Sequence, residues 1–286
     1  MKRFGRILFL AFLGVGISGV AFGQCPSTLD KIKNSGVFTL GVRKDSPPFS
    51  FINKQNERVG FSHDLAELVH KAIEKKLGKS IKLEMKETTP ATRIPLLTSQ
   101  AVDLIAETMT DTRTRRESID FSLTFFVTGA QFIVGKGSPI KGSQDIAGKR
   151  IGTLQGSTNE RVLREKHSKA ELVSFPDHAA AFMALQQGKV DAYCYDGIGL
   201  WGLKHKSGNP DQWEVVGDYI SYEPYSMAMR KNDSDFRGVV NAALMEAIEG
   251  GEYFKIYEKW FGPESDVPYP MTPDVRFFLL LQVVPK

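Results

Sequence analysis

Residues 37–78 read VFTLGVRKDSPPFSFINKQNERVGFSHDLAELVHKAIEKKLG, and this stretch decides the fold class. Its first six residues, 37–42, are mostly β-branched or aromatic and predict a buried strand. Pro47 and Pro48 lie in the loop that follows, because proline cannot donate to a β ladder. An apolar stripe with helical spacing then predicts a helix that Gly78 ends. The stripe consists of Leu65, Leu68, Val69, Ala72 and Ile73. A strand followed by such a helix predicts an α/β fold.

The same alternation continues along the chain. Further strands are predicted at 81–85, 102–106, 125–134, 150–154, 172–175, 190–195 and 222–229. Helices are predicted to begin near Arg93, Thr158 and Asp177, and an apolar stripe at 240–248 predicts a last one. Gly129 lies inside a long predicted strand and indicates a bend. Two successive sets of alternating elements predict two lobes.

The N-terminus has the layout of a secretory signal peptide. Lys2, Arg3 and Arg6 precede an uncharged apolar stretch at 7–23. We expect residues 1–23 to be removed on export to the periplasm. Without these three cations the formal charge of +4 falls to about +1. A nearly neutral mature chain argues against nucleic-acid binding, which needs clustered cations.

Two cysteines remain in the mature chain, Cys25 and Cys194. They are too few for a disulfide framework, and their spacing does not suit a metal site. The oxidising periplasm permits a bridge between them. A free, buried thiol at Cys194 is the equal alternative.

Polar side chains follow several predicted strands, at the end where ligands of open α/β sheets bind. Arg43 follows the first predicted strand, Thr108 and Thr110 follow the third, and Asp196 follows the seventh. Arg115 comes five residues after Thr110. Singly, each has an ordinary interpretation as a solvated arginine, a loop hydroxyl or a helix cap. Together they predict one crevice.

Short motifs also occur in a characteristic order. They are Gly41-Val42-Arg43, Pro48-Phe49-Ser50-Phe51, Gly60-Phe61-Ser62-His63-Asp64, Thr108-Met109-Thr110, Arg115, Ile119-Asp120-Phe121-Ser122, Leu154-Gln155-Gly156-Ser157-Thr158 and 191–196. This series resembles solute-binding protein family 3, the periplasmic amino-acid-binding proteins of ABC importers. The resemblance covers nearly the whole mature chain up to Trp260. It implies the two-lobed periplasmic-binding-protein type II fold, of α/β class with two hinge crossings.

Three features resemble the glutamate/aspartate-binding branch of that family. They are Arg43, Arg93 in the run Arg93-Ile94-Pro95-Leu96-Leu97, and Asp177-His178. Pro90 departs from the branch, which commonly places a hydroxyl residue there to meet the ligand. The choice between glutamate and aspartate therefore stays open.

The resemblance implies a ligand-binding set of nine residues. The set is Arg43, Arg93, Thr108, Thr110, Arg115, Ser157, Thr158, His178 and Asp196. Arg115 is expected to clamp the ligand α-carboxylate, assisted by Thr158 at a helix N-terminus. Asp196 is expected to bind the α-ammonium, together with oxygen atoms of Thr108 and Thr110.

Arg43 and Arg93, with His178 nearby, are expected to hold a side-chain carboxylate. Three arginines and Asp196 sum to +2 in this predicted site. Burying unpaired arginines costs several kcal/mol per charge, so this sum favours an acidic ligand over a neutral one.

The expected lobes are residues 24–127 with 222–286, and residues 128–221. Crossings near 126–131 and 220–225 would let the lobes close on a ligand by hinge bending. The membrane permease subunits of an ABC importer would then recognise the closed form. We expect a monomer that needs no catalytic group, no metal and no cofactor.

Two other functions share the scaffold. One is a periplasmic dehydratase acting on prephenate-like acids, for which His178 would be the imidazole available as general acid or base. The other is a ligand-sensing domain of a receptor or cell-wall enzyme.

Overall fold

The computed structural model of this chain describes residues 27–285. The predicted signal peptide and Cys25 lie outside the described residues. Cys194 is buried and has no disulfide partner among the described residues, so a bridge to Cys25 and a free thiol both stay open. Within 27–285, no helix is both long and apolar enough to cross a membrane.

Strands and helices alternate along the chain as the sequence predicts. The strands are β1 (Val37–Val42), β2 (Asp45–Ser46), β3 (Ser50–Ile52), β4 (Arg58–Val59), β5 (Lys82–Glu87), β6 (Leu104–Ile105), β7 (Ile119–Thr128), β8 (Ala130–Gly135), β9 (Arg150–Leu154), β10 (Glu171–Phe175), β11 (Ala192–Asp196), β12 (Trp213–Val216) and β13 (Glu223–Arg230). The helices are α1 (Thr28–Ser35), α2 (Phe61–Leu77), α3 (Arg93–Thr98), α4 (Thr158–Lys166), α5 (His178–Gln186), α6 (Gly197–Lys206), α7 (Ser234–Glu249), α8 (Glu252–Phe261) and α9 (Pro273–Leu281).

The strands of the described residues form two five-stranded sheets and a small three-stranded one. The first sheet has the order β5-β1-β6-β13-β7, in which β1 is parallel to β5 and β6. The second has the order β10-β9-β11-β8-β12, in which β9 is parallel to β10 and β11. Each sheet carries its own helices and core, so the α/β prediction with two lobes is confirmed.

The predicted strand 125–134 is wrong as a single element. It is the end of β7 and the start of β8, which belong to different sheets and meet at Gly129. A Cβ atom at Gly129 would lie 2.5 Å from the carbonyl oxygen of Ser221. Because two backbone segments pass this close, only glycine fits, and the predicted bend is confirmed.

Other elements differ from the prediction in extent. Of the predicted strand 102–106, only Leu104 and Ile105 pair in a sheet. The apolar run 277–281, which has no predicted secondary structure, forms most of α9. Apolar residues are buried in loops as well as in strands. The length of an apolar run therefore does not predict how many of its residues pair in a sheet.

The ends of α2 follow from its sequence. Gly78 adopts a left-handed conformation with φ of 66°, and its N–H donates to the carbonyl of Glu74. This residue ends the helix as predicted. In the apolar stripe of α2, Leu65, Val69 and Ile73 are fully buried in the core of the first lobe, and Leu68 and Ala72 are partly buried against it.

An aromatic cluster lies in the core beside the junction of the lobes. The ring centroids of Phe49 lie 5.0 Å from those of Phe126 and 5.2 Å from those of Tyr225. Phe261 lies 5.0 Å from Phe126 and 5.1 Å from Phe61. Burying each such ring contributes roughly 2–3 kcal/mol. The cluster therefore holds Tyr225 rigidly, with its hydroxyl directed toward the second lobe.

Candidate functional site

The ends of strands from both sheets meet at the junction of the lobes. Arg43 follows β1, and Thr108 and Thr110 follow β6. Asp196 is the last residue of β11, while His178 opens helix α5. Eight of the nine predicted residues are buried, and Arg115 is partly buried. Buried polar groups at this density are expensive unless they bind one another or a partner.

The first half of the site is a network of two arginines and two carboxylates. Arg43 donates from Nε and Nη2 to Oδ1 of Asp45, at 3.0 and 2.8 Å. Glu107 lies between the arginines, with Oε2 3.9 Å from Nε of Arg43 and Oε1 3.6 Å from Nη1 of Arg93. Thr88 donates to Oε1 of Glu107 at 3.1 Å. Burial alone would lower the pKa of Arg43, but Asp45 and Glu107 raise it.

Several polar atoms of this network have no hydrogen-bond partner. They are Nη1 of Arg43, Nε of Arg93, Oε2 of Glu107 and Nε2 of His178, all of them buried. Leaving a buried polar group unpaired costs about 1–3 kcal/mol. Two N–H donors and one carboxylate oxygen of this network are therefore unpaired, and a small polar group that paired with them would remove this cost.

His178 is held in place from two sides. Its Nδ1 lies 2.7 Å from the hydroxyl of Tyr193, and its ring packs edge-on against Tyr195 at 4.4 Å. Its backbone N–H donates to Oδ2 of Asp45 at 2.7 Å. Desolvation lowers the pKa of His178 to about 3 despite the nearby Asp45 carboxylate. The imidazole is therefore neutral at neutral pH.

The second half of the site contains two buried carboxyl groups. Asp196 accepts from Nδ2 of Asn159 at 2.7 Å and from the hydroxyl of Tyr225. Burial and the neighbouring Glu223 raise the pKa of Asp196 well above its usual value. No basic side chain within 27–285 forms an ion pair with either carboxyl group. A cation bound beside Asp196 would favour the ionised form of its carboxyl group, which burial disfavours.

Glu223 connects the hydroxyls of the predicted set. Its Oε2 accepts from Thr110 at 2.5 Å and from Thr158 at 2.7 Å, and its Oε1 accepts from Ser221 at 2.6 Å. Thr110 follows a strand of the first sheet, while Thr158 opens α4 beside the second sheet. The carboxylate of Glu223 therefore ties the two lobes together at this point.

Arg115 lies at the rim of the same half. Its Nη1 donates to the carbonyl of Thr110 at 2.8 Å, and its Nη2 donates to the carbonyl of Gly156 at 3.4 Å. Desolvation and the nearby Arg93 lower the pKa of Arg115 to about 9. The guanidinium still carries its charge at neutral pH, and an arriving anion would stabilise it.

Ser157 has a different position from the other predicted residues. Its Oγ accepts from the backbone N–H of Glu160 at 3.0 Å and so caps α4. No hydrogen bond among the described residues joins it to the rest of the set. Asp196, in contrast, stands at the N-cap position of α6 without a capping hydrogen bond. The ordinary interpretation of Asp196 as a helix cap is therefore wrong.

The predicted charge sum of +2 is also wrong, because it omits three acids. Asp45, Glu107 and Glu223 lie in the same network as the three arginines and Asp196. Three arginines against four carboxyl groups give −1 when every group is ionised. Glu107 had the same signal as Thr108, a polar residue directly after a predicted strand. Asp45 and Glu223 have no comparable pattern around them.

Two lobes that bury complementary charges at their junction, with a strand crossing beside the site, define the class of solute-binding proteins. The chain belongs to the family described as bacterial extracellular solute-binding proteins, family 3, which it matches over residues 38–263. Two named relatives are similar to this chain over most of their length. An L-glutamate/L-aspartate-binding protein of Pseudomonas aeruginosa is 36% identical and covers 90% of this chain and 89% of its own. A glutamate/aspartate import solute-binding protein of Salmonella typhimurium is 34% identical, covering 96% and 93%.

Solved structures share the fold. An ancestral arginine-binding protein bound to glutamine is 36% identical, with a TM-score of 0.72 over 79% of this chain and 98% of that one. An ancestral amino-acid-binding protein, described as a precursor of cyclohexadienyl dehydratase, is 32% identical. Its TM-score is 0.73, and the match covers 82% of this chain and all of that one.

Proposed function

We propose that this chain captures a free acidic amino acid, glutamate or aspartate, in the periplasm and delivers it to an ABC importer. The observation that carries the proposal is the pair of buried arginines, Arg43 and Arg93, each with an unpaired N–H group at the junction of the lobes. Guanidinium groups bind carboxylates through paired, charge-assisted hydrogen bonds. The names of the Pseudomonas and Salmonella relatives support the same ligand class.

The groups common to all amino acids would bind in the second half of the site. The α-carboxylate would meet Arg115 and the N-terminus of α4 at Thr158. The α-ammonium would lie against Asp196 and Glu223, whose carboxyl groups form no ion pair within the described chain. Its charge would restore the ionised form of Asp196, which burial otherwise disfavours.

The ligand side chain would bind in the first half. Nη1 of Arg43 and Nε of Arg93 are the free donors for its carboxylate. Nε2 of His178 is a third unpaired atom at the same place. Because His178 is neutral, it can donate from this nitrogen if Nδ1 accepts from Tyr193.

Transport would depend on hinge closure between residues 24–127 with 222–286 and residues 128–221. Contacts such as the 2.8 Å hydrogen bond between the hydroxyls of Thr108 and Tyr195 join the two sheets, and a ligand touching both sides would add to them. A ligand stabilises the closed form by its differential affinity for that form. The permease subunits of the importer would recognise the closed form of the binding protein, which would act as a monomer.

A second candidate ligand is the corresponding amide, glutamine or asparagine. Glu107 and Asp45 already face Arg43 and Arg93, so the first half of the site is balanced in charge before any side chain enters. A neutral side chain that both accepts and donates hydrogen bonds fits such a site without adding charge.

The structure of the first half favours binding over catalysis. General acid or base catalysis works best when the pKa of the group lies near the working pH. The pKa of His178 is about 3, and its Nδ1 is engaged with Tyr193. His178 therefore suits a fixed hydrogen-bond donor and not a proton-transfer group.

Titration calorimetry of the mature protein against a panel of amino acids tests the proposal. We expect glutamate or aspartate to bind, and lysine and leucine to give no heat. Tight binding of leucine without a response to glutamate would contradict the assigned roles of Arg43 and Arg93. Turnover of a prephenate-like acid by the same preparation would instead establish the dehydratase alternative.

A further inference from the structure

Glu107 is a buried carboxylate placed where the ligand side chain is proposed to bind. It is fully buried, and its two oxygens have different surroundings. Oε1 accepts from Thr88 and lies 3.6 Å from Nη1 of Arg93. Oε2 has no hydrogen-bond partner and lies 3.9 Å from Nε of Arg43. The carboxylate with the unpaired oxygen therefore lies within 4 Å of both arginines that carry unpaired donors.

An incoming side chain would meet two donors and one acceptor. A carboxylate satisfies Nη1 of Arg43 and Nε of Arg93, but it has no proton for Oε2 of Glu107 and repels its charge. A carboxamide offers its oxygen to the arginines and its NH₂ group to Glu107. The amide therefore satisfies all three unpaired atoms, whereas the acid satisfies two.

We propose that Glu107 is the residue that sets the discrimination between acidic amino acids and their amides in this cleft. Its charge weakens the binding of glutamate and aspartate and strengthens that of glutamine and asparagine. The inference rests on the proposed function, because it assumes that the ligand side chain reaches Arg43 and Arg93.

A purely structural role for Glu107 would have a different consequence. If its carboxylate served only to balance two buried arginines, its removal would lower the stability of the protein and weaken all ligands alike. The ratio of two affinities separates the roles, because a general loss cancels in the ratio.

The experiment compares the unchanged mature protein with Glu107→Gln and Glu107→Ala. Glutamate and glutamine are titrated calorimetrically into each protein at neutral pH, and cooperative thermal unfolding shows that each variant is folded. Glu87→Gln is the matched control, since Glu87 pairs with Lys44 at 2.8 Å on the exposed edge of the same region. It removes the same charge where water screens it.

We expect either Glu107 variant to shift the affinity ratio about tenfold or more toward glutamate, with no shift in the control. An unchanged ratio in folded variants of a protein that binds glutamate would overturn the inference and leave the proposed function standing. If the unchanged protein binds neither glutamate nor aspartate, the proposed function fails, and the inference fails with it.

Discussion

The carboxylate of Asp45 accepts a 2.7 Å hydrogen bond from the backbone N–H of His178, 133 residues further along the chain. Its other oxygen accepts from Nε and Nη2 of Arg43. One side chain thus fixes a candidate ligand-binding arginine and joins it to the N-terminus of α5 beside the other sheet. The same hydrogen-bond network thus includes a candidate ligand-binding side chain and a contact between the lobes. We therefore expect a substitution that alters one of these contacts to alter the other.

Asp45→Asn should lower stability at neutral pH. Burial alone would raise the pKa of Asp45, but His178 and Arg43 lower it to about 2 from a usual value of 3.8. A lowered carboxyl pKa contributes stability above pH 3.8, and that contribution is lost as pH falls toward 2. We expect the free energy of unfolding to drop by about 2 kcal/mol at pH 7.

Denaturant unfolding at pH 7, 4 and 2.5 checks this. The difference between the unchanged protein and Asp45→Asn should shrink as pH falls below 4. The exposed Asp211→Asn is the control and should show no difference. A gap that persists undiminished at pH 2.5 would contradict the assignment.

Arg115→Ala and Arg43→Ala should have different effects on selectivity. Arg115 is proposed to bind the α-carboxylate that all amino acids share, so its loss should abolish the binding of every ligand. Arg43 is proposed to bind the ligand side chain, so its loss should weaken acidic ligands selectively, by about tenfold or more. Calorimetry with glutamate, aspartate and glutamine distinguishes the two. Equal losses across the ligands for both variants would refute this division of roles.

His178 should make the protein sensitive to mild acid. Desolvation lowers its pKa from 6.5 to about 3, so the unfolded chain takes up a proton before the folded protein does. Stability is then lost as pH falls from 6.5 toward 3, by roughly 2–3 kcal/mol at pH 4.5.

Replacing His178 by Gln should remove this part of the pH dependence, which thermal unfolding between pH 7 and 4.5 measures. His205→Gln, at an exposed position, should keep the dependence of the unchanged protein. If His178→Gln loses as much stability in acid as the unchanged protein, the burial of a neutral imidazole is not its source.

Gly129→Ala should destabilise the protein through the crossing between the lobes. The added Cβ would lie 2.5 Å from the carbonyl oxygen of Ser221 and 2.6 Å from Cβ of Tyr219, so the backbone must shift. We expect a loss of about 1–3 kcal/mol. Gly135→Ala is the matched control on β8, because no atom lies within 4 Å of its added Cβ. Equal unfolding midpoints for the two variants would rule out this close approach.

The elements beside the site were predicted with different success. The sequence predicts Arg43, Thr108 and Asp196 at the ends of buried strands and therefore in one crevice. The bend at Gly129 was also predicted, but the division of the predicted strand 125–134 between two sheets was not. A continuous apolar run has the same hydrophobic pattern whether it stays in one sheet or passes to another, because its side chains are buried in both cases.

The predicted charge of the site failed for a related reason. Asp45 lies in the predicted loop after the first strand, where acids are ordinarily solvated, and Glu223 lies in the predicted strand 222–229 with no pattern that marks it as a site residue. Their contacts come from residues more than 100 positions away, such as His178 for Asp45 and Thr110 for Glu223. The spacing of residues in the sequence does not predict which distant residues contact each other in the folded protein.

The sequence by itself determined the alternation of strands and helices, the family and the residues at the strand ends, because these depend on local periodicity and on short motifs. Only the tertiary structure decided which charges share the cleft. It placed Glu107 between Arg43 and Arg93, and it left Asp196 and Glu223 without an ion pair among the described residues. The energy of a charge depends on what lies within a few ångströms of it, and folding brings those neighbours from distant parts of the chain.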